Sequence, residues 1–346
     1  MTTAIDFDAL EPLLSDPTIR IITINRYDNI YFSREAFRME KAAQTFRDEA
    51  TLRNIVNQLL AMHGQALSAS APICTIVLSD YSRITIVDQP VAANGLSMTI
   101  QKPVPPSEMP TWETLLRAGS LSAEMHAFLS ACAQGKVNIA VCGATGSGKT
   151  TLLTLIANMI PTQRRLVTGE EDFWLNLTHD NRFHMHTSPT VNMRQVLETA
   201  LHMRPDHIIC AEVHGAEALT MLEAMQNGYE GSMFAIHATS PRDCVGRLEI
   251  MLTEAAPTLP LTSLRQKIAS GLDLIVQIDI LADGWRRLVK ISALNGMVGD
   301  VVELVDLYTF VETGKDAEGK ISGRYEASGY VPRFANRLAS YGITLP

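Results

Sequence analysis

Short apolar runs and one amphipathic stretch organise the first hundred residues. The runs at 19–24, 30–32, 73–78, 84–87 and 98–100 read as strands of a small sheet, and Tyr27-Asp28-Asn29 is a turn between the first two. Over 49–63, Leu52, Ile55, Val56, Leu59 and Leu60 fall on one face of a helix that Gly64 would cap. The expectation is a small α+β domain spanning 1–101.

Past residue 112 the pattern changes to alternating strands and helices, which implies a largely parallel sheet. A helix at 123–133 leads to a strand at 137–142 and a helix from 151 to 159. Strands at 166–167, 207–211 and 232–236 then alternate with helices at 194–204, 216–227 and 242–254. The segments 273–281 and 285–294 flank Asp283-Gly284, a hairpin signal. The tail, 311–346, is rich in glycine and is expected to be loop. Between the two parts, 102–112 holds Pro103, Pro105, Pro106 and Pro110, which fit neither a helix interior nor a central strand. The fold class is therefore α/β, with a linker at 102–112 and a second domain at 113–346.

Composition narrows the class. Of 346 residues, 46% are hydrophobic and 19% charged, so the chain is globular rather than disordered. No apolar run reaches the ~20 residues of a membrane span. Met1 to Asp6 lacks the basic and apolar regions of a signal peptide. The cysteines Cys74, Cys132, Cys142, Cys210 and Cys244 have no metal-ligand spacing; an odd, scattered set points to a reducing cytoplasm, with Cys142 and Cys210 as core hydrophobes. A net charge of −8 argues against a broad nucleic-acid surface.

The chemistry concentrates at Gly143-Ala144-Thr145-Gly146-Ser147-Gly148-Lys149-Thr150, a complete G-x-x-x-x-G-K-T phosphate-binding loop between a strand and a helix that begins near Thr151. Its backbone N–H groups would close around the phosphates of a nucleoside triphosphate, aided by the helix N-terminus. Lys149 would neutralise the β/γ-phosphates and the Thr150 hydroxyl would ligate Mg²⁺. Glu212 ends the apolar strand Ile208-Ile209-Cys210-Ala211 and is placed to hold the magnesium shell and polarise water. Glu170, first of Glu170-Glu171-Asp172, follows another apolar strand and is a candidate general base. His237, at the end of Met233-Phe234-Ala235-Ile236, could sense the γ-phosphate by a hydrogen bond.

Together these segments resemble the secretion ATPase superfamily, the hexameric motors of type II and type IV secretion and of type IV pili, over about residues 12–334. The stretches that carry the likeness are 143–153, Leu201-His202-Met203-Arg204-Pro205-Asp206 before the Glu212 strand, and Ala235-Ile236-His237-Ala238-Thr239-Ser240-Pro241-Arg242-Asp243. The segments 268–277 and Gly296-Met297-Val298-Gly299-Asp300 look most like the CpaF-type ATPase of tight-adherence (Flp/Tad) pili. The resemblance implies a RecA-like C-terminal domain, a PAS-like N-terminal domain, bound ATP and Mg²⁺, and a homohexamer. It also implies docking on inner-membrane platform proteins from the cytoplasmic side. It assigns Lys149 and Thr150 to the phosphate loop, Glu170 to the acidic box, Glu212 to Walker B and His237 to the histidine box. Several positions depart from the family pattern. Trp174 stands at the acidic box's later glutamate and Glu171 at its aspartate. His214 stands for an arginine after Glu212, Tyr229 for a histidine, and Gln101 and Gln65 for arginines. Lys102 and Arg83 are the candidates to stand in for the arginine lost at Gln101. The first expectation is an ATP-hydrolysing assembly motor. Its rivals are a nucleotide-binding, non-hydrolysing subunit of such a machine, a conjugation-type secretion ATPase and, disfavoured by charge, a nucleic-acid motor.

Overall fold

The structure is a computed structural model that describes residues 7–34, 38–171, 175–188, 190–316 and 319–346. Asp172, Trp174 and residues 1–6 lie outside the described residues. Two compact units divide the chain, Met1–Glu108 and Met109–Pro346.

The first unit runs α1 (Glu11–Ser15), β1 (Ile21–Arg26), β2 (Asn29–Ser33), β3 (Glu40–Lys41), α2 (Glu49–Met62), β4 (Ile73–Val77), β5 (Arg83–Val87) and β6 (Ser97–Gln101). The sheet order is β3-β2-β1-β6-β5-β4, antiparallel throughout. Ile22, Ile24, Ile84, Ile86, Met98 and Ile100 are buried while their neighbours along each strand face outward. That alternation is what a sheet with one covered face requires. Leu52, Ile55, Val56, Leu59 and Leu60 of α2 pack against it. Asp48 caps α2 by accepting the Thr51 N–H at 2.8 Å. Lys102 belongs to this unit: its ammonium donates to the Leu14 and Asp16 carbonyls, each at 2.7 Å. Burial, and the nearby Arg20 charge, hold its pKa below the usual ammonium value.

The second unit opens with α3 (Trp112–Arg117) and α4 (Ala123–Gln134). Then come β7 (Ile139–Gly143), α5 (Lys149–Ala157), β8 (Leu166–Glu170), β9 (Arg182–His186), α6 (Met193–His202), β10 (His207–Val213), α7 (Glu217–Gln226) and β11 (Met233–His237). It closes with α8 (Pro241–Ala255), α9 (Leu261–Gly271), β12 (Leu274–Ile280), β13 (Arg286–Val298), β14 (Val301–Lys315), β15 (Ile321–Ala327) and α10 (Ala335–Ser340). One nine-stranded sheet has the order β15-β14-β13-β12-β7-β11-β10-β8-β9. The strands from β12 to β9 are parallel, and β13, β14 and β15 continue it antiparallel. The fold is α/β with a mixed sheet.

Every residue of β7 and β8 is buried, because helices cover both faces of the parallel part. Ile139 and Val141 pack on one face with Met125 and Leu129 of α4 and Leu152, Leu153 and Ile156 of α5. Ala140 and Cys142 face the other layer, with residues of α6, α7, α8 and α9.

The expectation of a loop over 311–346 is corrected. β14 runs to Lys315, and β15 and α10 follow it. Glycine misled the reading: a Cβ on Gly323 would lie 2.3 Å from the Phe310 ring on the neighbouring strand, so the residue makes room for an aromatic inside a ladder. The strand β9 and the helix α9 were not anticipated either.

Candidate functional site

The parallel strands all end at one edge of the sheet, and the candidate residues gather there. β7 ends at Gly143, where backbone crowding leaves no space for a side chain. A Cβ would lie 2.3 Å from the Ile278 carbonyl and 2.4 Å from Ser147 Oγ. The loop turns through Gly146 (φ +77°) and Gly148 (φ +99°), conformations that suit glycine. Gly148 is the N-cap of α5 and offers no capping side chain. The first N–H groups of that helix are thus left for an anion, with the helix dipole behind them.

Lys149 is only 7% exposed at its side chain. Its ammonium lies 3.4 Å from Glu212 Oε1 and donates to the Ala144 carbonyl at 3.3 Å. Glu212, 30% exposed, reaches it from β10, two strands away from β7. The turn after Glu212 is fixed by Glu217, whose Oε1 accepts the His214 and Gly215 N–H groups at 2.5 and 2.8 Å. His237 pairs with Gly143 across β11 and β7, and its Nδ1 lies 3.5 Å from Thr145 Oγ1, at the limit of a hydrogen bond. The histidine turn is held by Gln277, which donates to the Thr239 carbonyl at 2.8 Å, and by Ser240, which caps α8. Thr150 and Thr151 occupy the first turn of α5.

Glu170 is different. It is wholly buried. Oε1 accepts from Thr168 Oγ1 at 2.7 Å and lies 2.9 Å from His184 Nδ1, while Oε2 accepts the Leu175 N–H at 2.8 Å. A carboxylate so enclosed does not face water as a general base must. Glu171, 52% exposed, stands 3.9 Å from His214 Nε2 and lies in the open instead.

The structure therefore brings together the loop 143–150, Glu212 and His237, and leaves Glu170 beneath the surface. Of the substituted positions, the Tyr229 hydroxyl donates to the Leu201 carbonyl at 3.0 Å and fastens α6. Lys102 commits two of its ammonium donors to the Leu14 and Asp16 carbonyls. Gln277, Glu217 and His184 were missed. Glu217 lies five residues past Glu212 and Gln277 forty past His237; neither position gives a periodic signal, and His184 lies on the polar strand β9.

A strand, a glycine loop and a helix N-terminus, with an acid and a histidine at neighbouring strand ends, define a P-loop α/β protein. The family model of type II/IV secretion system proteins matches residues 3–283, and the chain belongs to that family. It is 27% identical over 303 residues to the protein VirB11 of Agrobacterium fabrum, covering 77% of this chain and 87% of VirB11. It is 29% identical over 329 residues to the type IV secretion system protein PtlH of Bordetella pertussis, covering 85% and 96%. Two solved structures share the fold. The pilus retraction motor PilT with bound ADP has a TM-score of 0.60 at 14% identity, covering 98% of this chain and 88% of PilT. The Legionella pneumophila ATPase DotB has a TM-score of 0.56 at 17% identity, covering 81% and 78%. No helix among the described residues is long and apolar enough to cross a membrane.

Proposed function

We propose that this chain is a motor subunit of a pilus-assembly or protein-secretion machine, hydrolysing ATP with Mg²⁺ at the loop 143–150. The observation that carries this reading is the Lys149–Glu212 pair at 3.4 Å over a helix N-terminus. A cation for phosphate and a carboxylate for metal and water meet at one point. The amides of 146–150 would bind phosphate oxygens, and Lys149 would neutralise the transferring end. Thr150 and Glu212 would hold Mg²⁺. An oxygen donor set of one hydroxyl and one carboxylate fits that ion, which takes its other ligands from phosphate and water. Mg²⁺ would supply charge neutralisation at the phosphates. Glu212 would orient the attacking water, His237 would read the state of the loop through Thr145, and Glu170 would position the acidic segment.

The subunit is read as part of a homohexamer on inner-membrane platform proteins, cytoplasmic and peripheral, with no direct nucleic-acid contact. The N-terminal unit is read as PAS-like, supported by its strand order β2-β1-β6-β5-β4. The similarity to VirB11 and PtlH supports a type IV secretion or conjugation branch. The motif at 296–300 supports a tight-adherence pilus.

A second reading, a nucleotide-binding subunit without turnover, draws on the buried Glu170 and on Trp174 and His214 at charged family positions. Phosphate release by the wild type and by Lys149→Ala, with sedimentation in an ATP analogue, tests both. Release by the wild type, its loss in a folded Lys149→Ala, and a shift to hexamer are expected. Binding without release would favour the second reading, and normal release by Lys149→Ala would overturn the site.

A further inference from the structure

A hairpin backs the phosphate loop. β12 lies beside β7, with Ile278 against both Gly143 and Gly148, and the turn at Asp283-Gly284 leads back into β13. Arg286 is the first residue of β13. Its Nε donates to the Gly146 carbonyl at 3.1 Å. Its Cδ stands 3.3 Å from where a Cβ on Gly148 would sit, so that glycine also leaves room for the arginine stem.

The two arginines of this turn have separate surroundings. Arg287 is buried, paired with Asp283 at 3.1 Å and donating to the Ile321 carbonyl, and it holds the hairpin together. Arg286 is exposed, and its two Nη groups make no hydrogen bond or ion pair among the described residues. A guanidinium anchored by one donor to a phosphate loop, with its remaining donors open, matches the fork that phosphate oxygens accept.

We propose that Arg286 is a nucleotide-binding residue: Nε holds the Gly146 carbonyl while the Nη groups donate to phosphate oxygens of a nucleoside di- or triphosphate in the loop. The inference rests on the nucleotide reading above and adds a residue to it. It adds an arginine from within the phosphate-loop unit.

The test uses the full-length protein and ADP as probe, titrated calorimetrically against wild type, Arg286→Ala, Arg286→Gln, Arg286→Lys and Lys149→Ala. Thermal melts verify that each variant is folded. Arg286→Ala is expected to weaken ADP by roughly 10- to 100-fold, the range of hydrogen bonds to charged groups. Glutamine can still donate to Gly146 but carries no charge, so Arg286→Gln should match alanine, and Arg286→Lys should recover part of the loss. Wild-type affinity in Arg286→Ala would overturn the proposal. So would wild-type affinity in Arg286→Gln, since the residue would then be a neutral strut. Loss in Lys149→Ala without loss in Arg286→Ala overturns this inference alone; no loss in Lys149→Ala overturns the nucleotide site itself.

Discussion

Glu212 and Glu170 sit on neighbouring strands in opposite surroundings, so the same substitution is expected to act differently at each. Glu212 faces Lys149 at the loop, whereas Glu170 is buried among Thr168, His184 and the Leu175 amide. Glu212→Gln should keep ATP affinity and lower steady-state phosphate release by about 10²-fold, because an amide cannot organise metal and water as a carboxylate does. Glu170→Gln should act on stability. The amide has one acceptor oxygen, so a buried donor loses its partner at a cost of about 1–3 kcal/mol in urea unfolding. A large turnover defect in Glu170→Gln at unchanged stability would reverse the assignment. Glu212 and His237 stand out in the sequence because each closes an apolar run. Arg286 does not: it meets Gly146 across 140 positions, and nothing local marks that contact.

At the scale of elements, β7, α5 and β12 form one packed unit around Gly143. Gly143→Ala would drive a Cβ into the Ile278 carbonyl and Ser147 Oγ. Backbone cannot yield as a side-chain tip can, so the substitution should cost about 1–3 kcal/mol in thermal or urea unfolding. It should also weaken ADP binding, since the loop must move. Unchanged stability and affinity would show that β12 has more freedom than this packing implies. Continuous apolar runs made β10 and β11 readable, because strands buried on both faces need them. β9, Arg-Phe-His-Met-His, is an edge strand with a polar composition and left no such trace. β14 and β15 were hidden for a related reason: much of their surface is exposed, Gly323 makes room for Phe310, and Gly314 sits at a register shift rather than in a loop.

For the whole molecule, His207 at the start of β10 couples folding to pH. Burial pushes its pKa from 6.5 to about 4; Lys136 and Arg164 add to this, against the Gly231 backbone and Asp206. Above pH 6.5 the imidazole is neutral whether the chain is folded or not. As pH falls below that, the unfolded chain takes up a proton that the folded one refuses until about 4. Stability should therefore decline across this window by on the order of 3 kcal/mol, and His207→Gln should remove that part of the slope. Parallel urea titrations of the two proteins at several pH values would measure the difference; identical slopes would remove His207 from the account.

The strand that carries the phosphate loop acquires its two neighbours late. β7 is complete at residue 143, but its partners are β11, finished at 237, and β12, finished at 280. During synthesis the glycine motif is therefore made long before the walls that shape it, and pairings of such sequence separation form slowly. A nascent or truncated chain ending between these points would contain the entire motif and no working cradle. Nucleotide affinity is then expected only in chains grown through the hairpin.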